Sequence, residues 1–342
     1  MKPKTKKVLL AVTLTPAVLL LGVIATVLVR SDRRFDAPLP DLHASDDPRV
    51  IERGRYLAYG LAHCVDCHAN PGDRAAKERG EQVPLSGGQE FRLPVGVIRA
   101  RNITPDQETG IGRYTDPEIA RILRYGVHAD GRVVLPFMPF ANLADDDLVA
   151  LISFLRSQKP VRHLVPPQEP NLLGKAVLAF VLTPQGPSEP LRQSFAPEPS
   201  AEYGRYLALN VGNCVKCHTR IDMRTGKYAG PLFAGGAEHA AEGNPQKKYI
   251  SPNLTPDPRW GWLNGWSEDA FVRRFRAGPV HTDSPMPWRA FRNVSDNDAR
   301  AIYRFLRTLP PAAGGPDPER RQVVAENTGT EPQPTPNRVR RF

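Results

Sequence analysis

The amino-acid sequence contains two copies of one pattern. Six segments recur in the same order, and each second copy lies between 148 and 152 residues after the first. The pairs are RGRYLA and YGRYLA (53–58, 203–208), CVDCH and CVKCH (64–68, 214–218), NITPD and NLTPD (102–106, 253–257), YTDPEIARILRYG and WSEDAFVRRFRAG (114–126, 266–278), FMPF and PMPW (137–140, 285–288), and DDDLVALISFLRS and DNDARAIYRFLRT (145–157, 296–308). Chance does not preserve order and spacing over six segments, so the sequence predicts two domains of one fold.

These repeats divide the chain of 342 residues into segments. The two domains are predicted to occupy residues 45–160 and 200–310. Residues 161–199 between them are rich in Pro and contain the apolar stretch LLGKAVLAFVL, which predicts a linker with one short helix. Residues 1–34 are predicted to form a membrane anchor or an uncleaved signal. Residues 311–342 mix Pro, Gly and polar residues, which predicts a disordered tail.

Both domains are predicted to be all-α. The last helix of the first domain has apolar residues at spacings of three and four: Leu148, Leu151, Ile152 and Leu155. This spacing is typical of a helix that faces a core. Thr115 precedes Asp-Pro-Glu, the pattern of a helix N-cap. No stretch alternates between apolar and polar residues for long, so no sheet is predicted.

The N-terminal segment 8–29 contains 22 residues without a charge. As a helix it would be about 33 Å long, enough to cross a bilayer core of about 30 Å. The preceding Lys2, Lys4, Lys6 and Lys7 favour a cytoplasmic N-terminus. A cleaved signal peptide is the alternative, but its apolar region would be shorter and followed by a small-residue cleavage site. The sequence therefore predicts a transmembrane helix, with residues 35–342 on the periplasmic side of a bacterial cytoplasmic membrane.

All four cysteines lie in the motif CxxCH. A dithiol redox pair would use this spacing beside a βαβ pattern, which is absent here. A zinc site would have to pool cysteines from both repeats or add His at finger spacing. CxxCH is also the signature of c-type haem attachment, in which two thiols form thioethers with one haem and the His binds its iron. The duplication of the whole motif favours haem.

The sequence therefore predicts two covalently bound haem c groups. The attachment residues are Cys64, Cys67, Cys214 and Cys217, and the proximal iron ligands are His68 and His218. The opposite ligands are predicted to be Met138, 70 residues after His68, and Met286, 68 residues after His218. Both stand in Met-Pro before an aromatic residue, and Met is too scarce here for core packing to explain the match.

The remaining Met and His residues lack this correspondence. Met223 has no counterpart in the first domain, and the other candidate histidines are His63, His128, His163, His239 and His281. These histidines are predicted to lie at the surface or to support the ligands without binding iron, and Met223 is predicted to have no special role. His63 and Asn213 occupy equivalent positions with different side chains, which argues against a shared role.

Charge excludes one class of partner. Lys and Arg number 46 against 36 Asp and Glu, but they form no basic run interleaved with aromatic residues. A nucleic-acid-binding protein usually concentrates its excess in that way. The net charge of +10 is instead compatible with a solvated surface or with an acidic protein partner.

Each repeat resembles a class I cytochrome c domain, with GRYLA, CxxCH, Met-Pro and a last amphipathic helix in order. In that family the first and last helices cross. The resemblance implies that Gly54 and Tyr56 pack against Leu151 and Phe154. In the second domain it implies that Gly204 and Tyr206 pack against Ile302 and Phe305.

A narrower resemblance covers nearly all of residues 45–310. The motifs GG, N-[IL]-T-P-D, GIGRYT and MPF are similar to those of cytochrome c subunits in membrane-bound alcohol, aldehyde and gluconate dehydrogenase complexes. Those subunits usually have three CxxCH motifs, whereas this chain has two. The resemblance also implies that Asn102, Thr104, Asn253 and Thr255 lie near the haems; a turn ahead of a helix is the alternative.

These inferences predict an electron carrier without catalytic activity of its own. With His on one side of each iron and Met on the other, no coordination position is open to a substrate. The predicted partners are a dehydrogenase subunit and a quinone or terminal oxidase. The alternative is a dihaem enzyme, such as a peroxidase or a thiosulfate-oxidising cytochrome, in which one iron would have to be open.

Overall fold

The computed structural model describes residues 3–138, 140–222 and 225–316. Within these ranges the α-helices α1 to α12 span Pro3–Arg30, Pro48–Tyr59, Cys64–His68, Arg74–Arg79, Asp116–Tyr125, Asp145–Ser157, Leu172–Phe180, Ala201–Tyr206, Cys214–His218, Glu268–Arg276, Trp288–Phe291 and Asp296–Thr308. The strands β1 to β5 span Glu90–Leu93, Gly96–Arg99, Glu169–Pro170, Glu238–Ala241 and Asn244–Ile250. A 3₁₀ turn covers Pro71–Asp73, and a π-helical turn, Leu207–Val211, continues α8. Met223 and residues 317–342 of the predicted tail lie outside the described residues.

Side-chain caps and buried apolar faces explain the main helices. Thr115 and Glu118 form a capping box at the start of α5, and Ser295 caps α12 by accepting a hydrogen bond from the Asp298 amide. Such caps satisfy amide groups that the first helical turn leaves without partners. The apolar stripe of α6 is buried: its members are Leu148, Leu151, Ile152 and Leu155. Burial of this face stabilises α6 more than helix propensity alone could.

In each half, the first helix crosses the last helix at a glycine. A Cβ atom on Gly54 in α2 would lie 1.8 Å from the Ala150 carbonyl oxygen and 2.7 Å from the Phe154 Cβ of α6. A Cβ atom on Gly204 in α8 would lie 1.9 Å from the Ala301 oxygen of α12. Neither helix crossing leaves room for any side chain, so glycine is required at both. The predicted proximity of Gly54 to Phe154 is confirmed.

The prediction of an all-α fold is wrong. β1, β2 and β3 form an antiparallel sheet, in which Phe91 pairs with Ile98 and Gly96 with Pro170, and β4 and β5 form a second antiparallel sheet. Most residues of β1 and β5 are exposed, so these strands have no buried face. A strand without a buried face needs no alternation of apolar and polar residues, which is why the sequence pattern missed both sheets.

The predicted N-terminal transmembrane helix is also wrong. Among the described residues, the structure has no helix whose length and apolar character would let it cross a membrane. The C-terminal part of α1 instead contacts α7, and Val27 is buried. The Arg30 guanidinium lies 5.3 Å from the centre of the Phe180 ring, and Arg33 donates a hydrogen bond to the Leu182 carbonyl. These protein contacts explain why the end of α1 is part of the fold.

Candidate haem sites

Each CxxCH motif forms one helical turn, which begins after a residue with left-handed backbone. His63, with φ of 40°, precedes α3, and Asn213, with φ of 52°, precedes α9. Residues other than glycine rarely adopt positive φ, and His and Asn are among those that tolerate it best. The two residues therefore share a backbone role, the sharp turn from the preceding helix into the motif. The sequence argument against a shared role concerned their side chains, and the structure adds a shared role of the backbone.

A backbone carbonyl orients each predicted proximal histidine. The Nδ1 atom of His68 lies 2.7 Å from the Arg101 carbonyl oxygen, and Nδ1 of His218 lies 3.0 Å from the Pro252 oxygen. A carbonyl only accepts, so Nδ1 must be the donor, which leaves the Nε2 lone pair for a metal. Burial lowers the pKa of His218 to about 4 and also lowers that of His68. Both imidazoles are thus neutral at pH 7, as iron ligation requires.

The thiols do not resemble those of a redox pair. Burial raises the pKa of Cys64 to about 12, that of Cys67 to about 11 and that of Cys214 to about 12. A reactive dithiol needs a lowered pKa, because the thiolate is the nucleophile. The residues that the structure describes also contain no group of three or more His, Cys, Asp or Glu side chains placed to hold a metal ion. The raised thiol pKa values therefore fit the dithiol alternative poorly.

One continuous cavity of about 2940 Å³ adjoins both motifs. All eight predicted site residues line it: Cys64, Cys67, His68, Met138, Cys214, Cys217, His218 and Met286. Ligand pockets usually measure ~300–1,000 Å³, so this cavity can take more than one large group. Its walls include Ile111, Leu123, Phe275 and Trp288, which suit a flat apolar macrocycle. The residues present thus fit haem, and their assignment as attachment sites and ligands stays a prediction.

The loops that contain the two methionines are tied to the last helices by arginines that sequence reasoning missed. Arg124 in α5 donates hydrogen bonds to the Leu143 carbonyl at 2.7 Å and to the Asp145 carboxylate at 2.6 Å. Arg276 in α10 does the same for the Arg292 carbonyl and the Asp296 carboxylate, both at 2.6 Å. The two arginines occupy equivalent positions in the duplicated helix segments, and this repetition could have identified them from the sequence.

Replacing Arg124 should destabilise the chain far more than replacing Arg276. The side chain of Arg124 is 1% exposed and that of Arg276 is 44% exposed. Arg124→Ala should lower the free energy of unfolding by about 3 kcal/mol, since it leaves the carbonyl of the buried Leu143 and the partly buried Asp145 carboxylate unpaired. Arg276→Ala, the matched control, should cost about 1 kcal/mol or less. Urea denaturation measures both; equal losses would contradict the assigned difference.

The duplicated N-x-T motifs have a structural role. The Asn102 Oδ1 atom accepts hydrogen bonds from the Thr104 amide and hydroxyl, and Asn102 Nδ2 donates to the Val161 carbonyl at 2.8 Å. Asn253 bonds in the same way to Thr255 and to the Ala312 carbonyl. Each motif therefore fixes the chain that leaves the last helix. Asn102 also lines the cavity, whereas Thr104, Asn253 and Thr255 are not among its lining residues. The alternative of a turn therefore describes both motifs, and a position beside the haem site fits Asn102 alone.

The other histidines have partners of their own. His63, His128, His239 and His281 line the cavity. Burial lowers the pKa of His128. The His163 Nδ1 atom lies 2.8 Å from the Ser86 carbonyl oxygen, and the His239 Nε2 atom lies 3.0 Å from that of Cys217. These contacts suit supporting roles.

Comparison with known proteins gives one consistent result. The chain is 33% identical over 298 residues to the cytochrome c subunit of a quinone-dependent alcohol dehydrogenase from Gluconobacter oxydans; the match covers 80% of this chain and 58% of the relative. It is 31% identical to the gluconate 2-dehydrogenase cytochrome c subunit from Pantoea cypripedii, over 80% of this chain and 62% of the relative. The chain is thus similar to the cytochrome c subunits of dehydrogenase complexes. This confirms the resemblance inferred from the motifs.

A further relative has a more similar length. A diheme c-type cytochrome from Cereibacter sphaeroides is 29% identical, over 72% of this chain and 82% of the relative. By contrast, the chain spans about 60% of the dehydrogenase subunits described above. No family model matches the sequence. The names of the relatives support haem c as a cofactor and electron transfer as a role.

Proposed function

We propose that this cytochrome binds two haem c groups and relays electrons from a dehydrogenase partner to a quinone or a terminal oxidase. The observation that supports this proposal most strongly is the repetition of one ligand environment. In both halves, a CxxCH turn follows a left-handed residue, and a carbonyl in the equivalent position orients the histidine. The single cavity beside both turns has a volume that suits two macrocycles.

The ligand set favours a carrier over an enzyme. A haem that receives one histidine and one methionine is held in place by the protein and supplies a reversible one-electron change at iron. Met138 and Met286 line the cavity in their respective halves, so each half offers both ligands. A peroxidase would need at least one iron with an open position, and neither half lacks its methionine. The cytochrome is therefore proposed to have no catalytic activity of its own.

The proposed electron donor and location rest on different observations. The relatives in alcohol and gluconate dehydrogenases are named as cytochrome c subunits, which supports a dehydrogenase as the donor. The uncharged segment 8–29 after four lysines is typical of exported proteins, which supports a location on the periplasmic side. Fractionation of cells that express the full chain tests the location: recovery of the haem protein in the cytoplasm would contradict it.

Haem content and visible spectra of the purified full chain test the proposed function. We expect two covalently bound haems per chain, both low-spin, with the charge-transfer band of a methionine–iron bond in the oxidised state. Cys214→Ala with Cys217→Ala should remove one of the two haems, because only one pair of thiols remains. A chain with no bound haem would contradict the proposal, and a high-spin ferric component in the unmodified protein would favour an enzyme.

A further inference from the structure

Two tyrosines at equivalent positions join the halves. The Tyr56 hydroxyl in α2 donates a hydrogen bond to the Asp298 carboxylate at 2.7 Å and accepts one from the Ser295 amide at 2.9 Å. Asp298 and Ser295 lie at the start of α12 in the other half. The first helix of one half therefore contacts the N-terminus of the last helix of the other.

The reverse contact has the same form. The Tyr206 hydroxyl in α8 donates to the Asp147 carboxylate at 2.7 Å and accepts from the Ala144 amide at 3.2 Å. Tyr206 follows Tyr56 by 150 residues, and Asp298 follows Asp147 by 151. In a two-fold dimer, residue i of one subunit contacts residue j of the other, and j contacts i in return. The halves thus meet as two subunits of such a dimer would.

Arg53 and Tyr203 mark the axis of this pseudo-symmetry. They occupy equivalent positions in the repeats, and the Arg53 guanidinium donates to the Tyr203 hydroxyl at 3.2 Å. Arg53 also donates two hydrogen bonds to the Asp147 carboxylate, at 2.8 and 3.0 Å. Burial disfavours the guanidinium charge, but the bonds and charge of Asp147 outweigh it and raise the pKa of Arg53. The network therefore contains a bidentate ion pair at its centre.

Most of this network is buried, and each of its hydroxyl and carboxylate groups has a hydrogen-bond partner. Tyr206 is 1% exposed, Asp298 is 4% exposed and Asp147 is 8% exposed. Burial and the neighbouring carboxylates raise the pKa of Tyr56 and of Tyr206, so both hydroxyls keep the proton that they donate. A buried network with satisfied partners is directional, unlike apolar packing, and holds one relative orientation. It is suited to fixing the position of one half against the other.

The orientation that results brings the two CxxCH turns together. Leu61 lies three residues before Cys64, and Gly212 lies two residues before Cys214. A Cβ atom on Gly212 would lie 2.8 Å from Leu61 Cδ1, so the two segments are already in van der Waals contact. The His63 ring, which adjoins Cys64, packs edge-on against Phe291 with ring centres 5.8 Å apart. Both haem attachment segments thus lie at the boundary between the halves.

We propose that the pairs Tyr56–Asp298 and Tyr206–Asp147 are positioning residues that hold the two attachment segments in contact, so that an electron passes directly from one haem to the other. This inference rests on the proposed function. With both haems bound, this exchange would be a one-electron transfer that oxidises one Fe(II) to Fe(III) and reduces the other Fe(III) to Fe(II). No covalent bond forms or breaks, and no proton is transferred.

The test compares Tyr56→Phe/Tyr206→Phe with Tyr59→Phe in the full haem-loaded chain. Tyr59 is a matched control, because its buried hydroxyl donates to the Val83 carbonyl within the first half at 2.6 Å. After rapid partial reduction, the electron should equilibrate between the haems several-fold more slowly in the double variant. The dipolar coupling between the two oxidised irons, measured by electron paramagnetic resonance, should weaken. Tyr59→Phe should leave both quantities unchanged.

A second pair of variants separates positioning from general destabilisation. Asp298→Asn keeps an oxygen acceptor for the Tyr56 hydroxyl, and Asp298→Ala does not. We expect Asp298→Asn to retain most of the parent rate of electron exchange and Asp298→Ala to lose most of it. If the double tyrosine variant does not accumulate as a folded protein, this comparison tests the positioning role in its place. If Tyr56→Phe/Tyr206→Phe and Asp298→Ala bind two haems and show the same exchange rate and the same iron–iron coupling as the parent, the inference is overturned and the proposed function still stands. A parent chain without haem would instead contradict the proposed function.

Discussion

Met286→Ala should lower the reduction potential of one haem and open its iron to external ligands. Met286 lines the cavity, and its backbone is held independently of the side chain, since the Trp288 amide donates to the Met286 carbonyl at 2.7 Å. The loop should therefore keep its course when the thioether is removed. A neutral thioether favours Fe(II), so its loss should shift the potential downward by on the order of 0.1 V, within the ~0.8 V over which axial ligands act. Spectroelectrochemistry resolves the two haems.

Two further variants, Met138→Ala and Met223→Ala, test whether the effect is specific to the predicted ligands. Met138→Ala should change the other haem in the same direction, and the charge-transfer band should fall by about half in each single variant because one of two sites is affected. Met223→Ala is the control, because Met223 has no counterpart in the other repeat. The ligand assignment is wrong if Met138→Ala and Met286→Ala both retain the parent spectrum, or if Met223→Ala alone alters it.

Gly54→Ala should destabilise the first half severely. The added Cβ would lie 1.8 Å from the Ala150 oxygen and 2.5 Å from its carbonyl carbon, and these are backbone atoms of α6 that cannot rotate away. α2 and α6 would have to separate, which opens the buried apolar contacts around Leu57 and Leu151. We expect a loss of about 4 kcal/mol or more in the free energy of unfolding, above the ~1–3 kcal/mol usual for overpacking. The free energy of unfolding of a typical domain is only ~5–15 kcal/mol, so this loss would remove a large part of its stability.

Gly204→Ala tests the same point in the second half. Its Cβ would lie 1.9 Å from the Ala301 oxygen, so the loss should be comparable. Gly22→Ala is the matched control, because a Cβ at Gly22 in α1 meets no other atom within 4 Å. It should be neutral or stabilise the helix by up to ~1 kcal/mol. Thermal and urea denaturation provide the measurements, and a melting temperature equal to that of the parent for Gly54→Ala would show that the helices do not cross as described.

Local features of the sequence predicted the resemblance to cytochrome c subunits, which the comparisons confirm, and an electron-transfer role, which the names of the relatives support. CxxCH places two thiols and an imidazole within five consecutive residues, so this chemistry depends little on the rest of the fold. The duplication then allowed each candidate to be checked against a second copy, which selected Met138 and Met286 over Met223. The ligand assignments stay predictions, although the structure brings all eight residues to one cavity.

Features that depend on burial or on distant partners were not predicted correctly. The exposed strand β5 has no apolar periodicity, so an all-α fold was inferred. The end of α1 was assigned to a bilayer on apolar length, whereas Val27 is buried in the structure. The packing role inferred for Tyr56 from family resemblance did not include the bond that its hydroxyl makes across the boundary to Asp298. To predict any of these features, one must know which parts of the chain pack against each other in the folded protein.

The sequence by itself determined that this protein contains two copies of the CxxCH motif. This motif predicts haem attachment from the sequence alone, because covalent attachment and proximal ligation depend on residues adjacent in the chain. Tertiary structure decided how the copies meet. Tyr56 and Asp298 are 242 residues apart, and only the fold brings them within hydrogen-bond distance. The same holds for Leu61 and Gly212, whose contact joins the two attachment segments. Relative orientation is set by the shape and polarity of buried surfaces, and no local pattern of residues encodes it.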